Sequence, residues 1–232
     1  MKAAIMQPYF LPYIGYFQLI QAVDVFVIYD NIKYTKSGWI NRNRFLQNGS
    51  DVVFSVSLKK DSDFCTIGER FLADGFDREH LLGRFRGAYQ RAPFFDQAFP
   101  VIERVVSCAD ANLFGYIHHS LREICAYLGI TTSIVVSSGL QMDHGLKGQD
   151  KVLALCEALG ATSYLNAIGG LELYSRDTFR ARGIELRFLK SRPFEYPQFD
   201  HDFVPWLSII DVMMFNSPES IRQCLECNYD LV

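Results

Sequence analysis

The first 30 residues contain the pattern that most restricts the fold, which is a strand, a helix and a second strand in close succession. Residues 3–6 form a short apolar run that ends at Gln7 and Pro8, as expected for a buried first strand. Apolar side chains then recur at helical spacing over residues 12–22, and residues 23–29 are β-branched and aromatic, as in a strand. This order predicts a βαβ unit with two parallel strands and a right-handed crossover.

The rest of the chain continues to alternate between helical and extended patterns. Further strands are predicted at 52–58, 133–136, 163–165 and 184–189. Helices are predicted at 78–91, 94–107, 112–128, 149–159, 176–182, 207–215 and 218–227. Pro100 should break or kink the second of these helices. The polar segment 30–50, with turn signals at Ser37-Gly38 and Asn48-Gly49, should form a hairpin-like excursion with the strand that follows it.

These patterns predict an α/β fold, in which an open, mainly parallel Rossmann-like sheet carries a helical insertion. We expect a single domain over residues 1–232. The insertion should cover about 77–129, and an irregular to helical tail should cover about 191–232. The sequence contains no internal repeat and no low-complexity tract.

Composition and charge exclude several classes of protein. The chain has 232 residues, of which 49% are hydrophobic, so intrinsic disorder is not expected. Its net charge of −3 gives no reason to expect nucleic-acid binding, for which a basic domain is usual. No stretch approaches the roughly 20 apolar residues of a membrane-spanning helix, and no secretory signal is expected. We therefore expect a cytoplasmic globular protein without nucleic-acid or membrane partners.

The six cysteines are scattered and mostly have apolar neighbours, as expected for reduced thiols that pack as small hydrophobic groups. Only Cys224 and Cys227 have the spacing of a metal or redox motif, and no second Cys or His pair lies near them in the sequence. We interpret them as free thiols of a terminal helix. Neither a metal nor a cofactor is predicted.

Ligands of open parallel sheets bind beyond the carboxyl ends of the strands, and four segments of this chain follow predicted strands or precede a predicted helix. The first segment covers residues 7–16, where Gly15 permits close approach of another group. Its candidate ligand-binding residues are Gln7, Tyr9, Tyr13 and Tyr16. Tyrosines supply hydroxyl groups and stacking faces, although a rigid loop with core aromatic residues would have the same composition.

The second segment, residues 30–44, is locally basic. The first 50 residues carry five basic and two acidic side chains. Lysine and arginine bind phosphate groups, asparagine can recognise a sugar or a base edge, and tryptophan can stack on a flat ring. The candidate ligand-binding residues are Lys33, Trp39, Asn41, Arg42, Asn43 and Arg44, and Asp30 is a candidate base. A solvated, charged hairpin is the alternative interpretation.

The third and fourth segments cover residues 142–150 and 165–170. The third precedes a helix, whose first backbone N–H groups attract anions, although an aspartate there acting only as a helix cap is the alternative. In the fourth, a glycine pair after a strand suits either a phosphate or a plain turn. The candidates are His144 and Lys147 in the third segment, and Asn166, Gly169 and Gly170 in the fourth.

Several of these segments resemble the WbqC-like family. The resemblance is carried by QPYFLPYIGYF (7–17), YDNIKY (29–34) and WINRNR (39–44), and later by residues 147–150, 164–166, 169–170 and 208–211. The family is associated with bacterial O-antigen and other surface-polysaccharide gene clusters, which implies work on nucleotide-activated sugars. The placement of Tyr13-Ile14-Gly15-Tyr16 is also similar to the H-x-G-H element of nucleotidylyltransferases and pantothenate synthetases. Both histidines of that element are tyrosine here, which argues against adenylyl transfer.

Three functions stay open after the sequence analysis. The first is an enzyme that transfers an acyl or aminoacyl group to the amine of a nucleotide-linked sugar. In it, Lys33, Arg42 and Arg44 would hold the pyrophosphate, and His144 or Asp30 would be the base. The second is an ATP-dependent carboxylate–amine ligase of the pantothenate-synthetase type, and the third is a non-catalytic sugar-nucleotide-binding subunit. The expected ligand is a nucleotide sugar or another anionic small molecule, and a second copy of the chain or a carrier protein is open as a partner.

Overall fold

The computed structural model describes residues 1–232. The strands are β1 (Lys2–Met6), β2 (Val25–Ile28), β3 (Arg42–Gln47), β4 (Ser50–Ser55), β5 (Ser133–Val136), β6 (Ser163–Ala167), β7 (Glu185–Ser191) and β8 (Tyr229–Leu231). The helices are α1 (Ile14–Gln21), α2 (Arg78–Tyr89), α3 (Phe95–Val106), α4 (Leu113–Leu128), α5 (Gly148–Leu159), α6 (Arg176–Ala181), α7 (Ile209–Phe215) and α8 (Pro218–Cys227). None of the helices is both long and apolar enough to cross a membrane.

Six strands form one sheet in the order β5-β2-β1-β6-β7-β8. The first five strands in this order pair in parallel, and β8 pairs antiparallel with β7. Ala3 of β1 lies opposite Val25 of β2, and Met6 lies opposite Ile28. The predicted parallel βαβ unit is therefore confirmed, as is the predicted α/β class with an open, mainly parallel Rossmann-like sheet.

Successive residues of the central strands enter two different cores. Ala4 and Phe26 belong to the larger core, together with side chains from α1–α4, α7 and α8. Ala3 and Val27 belong to a smaller core with side chains from α5 and α6. Because neighbouring side chains of a strand point to opposite faces, helices cover both faces of the sheet. A strand buried on both faces is apolar throughout, which explains the unbroken apolar run of β1.

Helices α2, α3 and α4 follow one another in the segment predicted to be a helical insertion. Helix α3 continues through Pro100, so a break there is wrong, and a kink at the proline stays a prediction. Ala98, Phe99, Val101 and Ile102 on either side of the proline are buried, and this packing outweighs the backbone hydrogen bond that proline cannot make. The division of the chain into a domain, an insertion and a tail stays a prediction.

Strands β3 and β4 form a separate two-stranded hairpin. Its turn residues Asn48 and Gly49 have φ values of +52° and +75°, as a tight turn between two strands requires. The hairpin is attached to α2 because the rings of Phe45 and Phe54 pack against Phe85, with centroids 5.2 and 5.0 Å away. The excursion expected from the sequence is therefore this hairpin, and α2 holds it in place.

Candidate functional site

The strand order places a crevice beyond the carboxyl ends of β1 and β6. The chain passes from β1 to β2 and then to β5 on one side of β1, whereas β6 and β7 lie on its other side. At such a switch point, the connections leave the sheet in opposite directions, and ligands of open α/β sheets bind in the crevice between them. The segments that border this crevice are those following β1 and β6.

A cavity of about 320 Å³ lies at the crevice, and we call it the switch-point cavity. The sheet supplies one part of its lining. Tyr9 and Tyr13 come from the segment after β1, Ile168 follows β6, and Leu189 and Ser191 lie at the end of β7. The topology and the shape of the surface therefore indicate the same place.

Both tryptophans of the chain line the switch-point cavity. Trp39 is 43% exposed and Trp206 is 46% exposed. Trp206 also has a φ of +59°, which is unfavourable for a bulky side chain, and its ring meets that of Tyr13 edge to face at 6.0 Å. Large exposed rings and backbone strain are each typical of binding sites, so this cavity is the leading candidate for one.

Two arginines lie beside Trp39, and of these Arg44 lines the cavity. The guanidinium carbons of Arg42 and Arg44 lie 5.3 and 5.7 Å from the centre of the Trp39 ring. Arg44 is paired with Asp51 at 3.0 Å. Arg42 donates to the carbonyl oxygen of Ser37 and has a buried Nε atom without a hydrogen-bond partner. Arg42 therefore has no carboxylate to neutralise its charge, but it lies beside Trp39 and outside the lining of the cavity.

The predicted asparagines of this segment bond to the protein itself. Asn43 lines the cavity but is buried, and its Nδ2 donates to the carbonyl oxygen of Leu11 at 2.8 Å. Leu11 has a φ of +46°, so this bond supports a strained backbone position beside the cavity. Asn41 accepts from the hydroxyl group of Tyr34 at 2.8 Å. Both side chains therefore shape the hairpin and the loop after β1.

The three predicted tyrosines after β1 do not share one environment. Tyr9 and Tyr13 line the cavity, whereas Tyr16 is buried in the larger core and donates to the carbonyl oxygen of Gln7 at 2.8 Å. Burial raises the pKa of Tyr9 and of Tyr13, so their hydroxyl groups stay protonated at neutral pH. A Cβ on Gly15 would lie 2.4 Å from Cε2 of Tyr13, so the group that approaches this glycine is the Tyr13 ring.

A second polar cluster lies where β2 and β5 end. Oδ1 of Asp30 accepts from Oγ of Ser137 at 2.8 Å and from the backbone N–H of Ser138 at 3.0 Å. Lys151, which is 6% exposed, donates to Oδ1 of Asn31 at 3.2 Å. Burial lowers the pKa of Lys151, and the charge of Asp30 partly opposes this effect. The cluster thus ties the segment after β2 to α5.

His144 is held by hydrogen bonds on both ring nitrogens. Nε2 lies 3.0 Å from the carbonyl oxygen of Leu140, and Nδ1 lies 3.0 Å from Nδ2 of Asn31. A carbonyl oxygen can only accept, so Nε2 carries the proton and Nδ1 accepts from the amide. His144 and Asp30 do not line the switch-point cavity. The role of either residue as a base stays a prediction.

The other predicted residues lie outside the lining of the cavity. Lys33 lies 5.1 Å from the centre of an aromatic ring, and Lys147 is exposed at the start of α5. Asn166 is buried and accepts from the next backbone N–H at 2.8 Å. A Cβ on Gly170 would lie 2.3 Å from Nδ2 of Asn166, so this asparagine packs against the turn that contains Gly169.

Several residues of these two sites were not predicted from the sequence, among them Trp206, Asn31 and Lys151. Trp206 belongs to the tail, and its signal was that the chain has only two tryptophans. Lys151 precedes the buried Leu155 by four residues, which places it on the apolar face of α5. A lysine on such a face indicates a buried cation with internal partners.

The cysteines supply no cluster of metal ligands. Cys224 and Cys227 lie on α8, as predicted, and neither takes part in a disulfide bond. Burial raises the pKa of Cys224 to about 11, so its thiol stays protonated at neutral pH. The structure contains no group of three or more His, Cys, Asp or Glu side chains that could hold a metal ion.

Comparisons with known proteins agree with the resemblance seen in the sequence. The chain is 29% identical over 233 residues to the uncharacterized protein Rv1507c of Mycobacterium tuberculosis, and the match covers 96% of this chain and 98% of that protein. No solved structure matches. The profile of the WbqC-like protein family matches residues 7–223, and the chain therefore belongs to the WbqC-like protein family.

Proposed function

We propose that the chain is an enzyme of bacterial surface-polysaccharide (O-antigen) biosynthesis, which transfers an acyl or aminoacyl group to the amine of a nucleotide-activated amino sugar. The observation that best supports this proposal is one cavity at the strand switch point that combines two half-exposed tryptophans with Arg44 in its lining and Arg42 beside Trp39. The gene clusters associated with the WbqC-like family provide the biological context.

The aromatic side chains in the cavity and the arginine beside it suit two parts of such a substrate. Sugar and base rings have flat faces that pack against aromatic side chains, as Trp39 and Trp206 would allow. A pyrophosphate is an anion with several oxygen acceptors, which suits the guanidinium group of Arg42 beside Trp39, next to the cavity lining. Arg44 is partly neutralised by Asp51, so we assign it mainly to holding Trp39 and the hairpin.

The proposed reaction needs a group that accepts one proton. The sugar amine attacks the carbonyl carbon of the donor, so a C–N bond forms, the bond to the leaving group breaks, and the amine loses a proton. Nδ1 of His144 is occupied by the amide of Asn31. Both bonds to the Asp30 carboxylate go to Oδ1, which leaves Oδ2 to accept a proton. Of the two candidate bases, Asp30 therefore has the free acceptor atom. It lies outside the lining of the switch-point cavity, so the sugar amine would have to extend beyond that lining to reach it.

The geometry favours the transferase over the ATP-dependent ligase. In the ligase, the positions of Tyr13 and Tyr16 would correspond to side chains that contact ATP phosphates. Tyr16 is only 2% exposed, and its hydroxyl group is bonded to a backbone carbonyl oxygen, so it offers no donor to a phosphate. Exchange of labelled pyrophosphate into ATP would detect the ligase, and we expect none.

Isothermal titration calorimetry with dTDP-, UDP- and GDP-linked amino sugars tests the proposal. We expect one of them to bind, and Trp39→Ala and Arg42→Ala to weaken that binding about tenfold or more, because each removes a contact worth more than 1 kcal/mol. Arg86→Ala is the matched control, since Arg86 is ion-paired to Glu103, lies over an aromatic ring and is not part of the cavity lining. If no sugar nucleotide binds, the proposal is wrong.

A further inference from the structure

A second cavity, of about 360 Å³, adjoins the switch-point cavity. Tyr13 and Trp206 line both cavities, so the same edge-to-face pair of rings separates them. Most of the remaining lining comes from the tail, between residues 192 and 207. We call this second space the tail cavity.

Aromatic rings dominate the lining of the tail cavity. The ring of Tyr196 packs against Phe194 and Phe203, with centroids 5.4 and 5.2 Å away. Its hydroxyl group donates to the buried Asp211 at 2.7 Å, so the ring rather than the hydroxyl group is available to a ligand. Together with the separating pair, five aromatic rings line this cavity.

The charges of the tail cavity do not cancel. Arg192 and Glu195 are the charged residues of its lining. Nε of Arg192 lies 3.1 Å from Oδ2 of Asp230, and this ion pair neutralises the guanidinium group. Glu195 is exposed and takes part in no hydrogen bond or ion pair of the structure. One uncompensated carboxylate therefore accompanies the five rings.

We propose that the tail cavity binds the ammonium group of a small organic cation. Aromatic faces attract cations through their negative quadrupole, and the carboxylate of Glu195 adds a direct attraction. The same carboxylate disfavours the polyanionic sugar nucleotide, which separates the ligands of the two cavities. If the proposed function holds, on which this step rests, the cation is the ammonium group of the aminoacyl donor. The ammonium group then lies on one side of the pair formed by Tyr13 and Trp206, and the carbonyl carbon of the donor must reach past the edge of this pair to meet the sugar amine.

Calorimetry with matched probes tests this proposal on the full chain. The charged probes are alaninamide and phenylalaninamide, and the uncharged probes are propanamide and 3-phenylpropanamide, which lack only the amino group. We expect the better charged probe to bind about tenfold more tightly than its uncharged counterpart, because cation–π attraction and the carboxylate act only on the cation. Equal affinities within each pair, or no binding of any probe, would overturn the proposal.

Two substitutions locate the binding in the tail cavity. Glu195→Gln should reduce the affinity for the charged probe about fivefold and leave the uncharged probe unaffected. Phe203→Leu should also reduce the affinity for the charged probe, because it replaces one of the rings with an aliphatic side chain. Glu172→Gln is the control, since Glu172 is an exposed carboxylate outside both cavity linings. An equal loss in Glu172→Gln and Glu195→Gln would contradict the assignment.

The outcome can be separated from that of the proposed function. Glu195 does not line the switch-point cavity, so Glu195→Gln should bind the sugar nucleotide as tightly as the unsubstituted protein does. Binding of the amide probes without any binding of sugar nucleotides would contradict the proposed function alone. Binding of a sugar nucleotide without any preference for the charged amide probes would contradict the ammonium site alone.

Discussion

Trp206 combines three properties that rarely occur in one residue. Its side chain is large and nearly half exposed, and its backbone adopts a left-handed conformation with a φ of +59°. A left-handed conformation costs an L-residue roughly 1–2 kcal/mol, whereas glycine adopts it readily. The strain is therefore tolerated at a position whose ring lines both cavities. The need to hold this ring between the two cavities is a reason for such strain to persist.

This strain predicts an unusual order of stability. Trp206→Gly and Trp206→Ala both remove the ring, but only the glycine variant relieves the backbone. We expect the glycine variant to be more stable than the alanine variant by about 1 kcal/mol, although glycine is normally the more costly residue. Urea denaturation of the two variants measures the difference. An alanine variant that is equally or more stable would show that the backbone relaxes once the ring is removed.

At the residue scale, the sequence predicted the part of the cavity that follows the strands. Tyr9 and Tyr13 were singled out because they follow β1, and Trp39 because it is interleaved with basic residues. Trp206 was not predicted, because it reaches the cavity through a contact with Arg44, 162 residues away. No local pattern encodes a contact of that separation. Whether these residues bind a ligand stays a prediction.

Two glycines in helices illustrate opposite uses of the same residue. Gly15 lies in α1, where a Cβ would be 2.4 Å from Cε2 of Tyr13 and 2.5 Å from Oγ of Ser191. Gly83 lies in α2, where a Cβ would meet nothing within 4 Å. Gly15 leaves space for the Tyr13 ring, which lines both cavities. Gly83 has no such role.

Alanine substitution should therefore have opposite effects in the two helices. Gly15→Ala should destabilise the protein by about 1–3 kcal/mol, because Tyr13 must move, and should weaken ligand binding in both cavities. Gly83→Ala should stabilise the protein by up to about 1 kcal/mol, which is the difference in helix propensity. Urea denaturation and calorimetry measure these effects. If Gly15→Ala changes neither the stability nor the ligand binding, the Tyr13 ring can shift to make room for the added methyl group without cost.

At the element scale, apolar runs and periodicity located the elements that are buried. The predicted strand at 133–136 and the helix at 112–128 match β5 and α4 closely, because each has an apolar face that must be covered. Strand β8 was not predicted. It has only three residues and exists through its pairing with the edge of β7, so its own sequence carries little signal.

At the scale of the whole molecule, one buried carboxylate connects distant parts of the chain. Asp211 of α7 is fully buried. It accepts hydrogen bonds from the hydroxyl group of Tyr89 in α2 at 3.0 Å, from that of Tyr196 at 2.7 Å and from Nε2 of Gln198 at 2.6 Å. Helix α2, the segment 196–198 and helix α7 therefore meet at one ionisable group, which bonds to Tyr196 of the tail cavity.

Burial raises the pKa of Asp211 from 3.8 to about 6, and its three hydrogen bonds only partly oppose this effect. A folded-state pKa above the unfolded one means that the neutral form stabilises the fold. This contribution is complete below about pH 4 and is lost as the pH rises through 6. With about 1.4 kcal/mol for each unit of pKa shift, the loss amounts to about 3 kcal/mol at neutral pH.

Asp211→Asn should remove this dependence, because an amide keeps the shape of the side chain and does not ionise. We expect the free energy of unfolding of Asp211→Asn, minus that of the unsubstituted protein, to increase between pH 4 and pH 7. Exposed carboxylates such as Asp230, whose pKa Arg192 lowers, contribute equally to both proteins and cancel. Asp200→Asn, at an exposed position of the same tail, is the matched control and should show a constant difference. Urea denaturation at several pH values provides the measurement, and a difference for Asp211→Asn that stays constant or decreases over this range would show that the buried carboxylate is stabilised in its charged form.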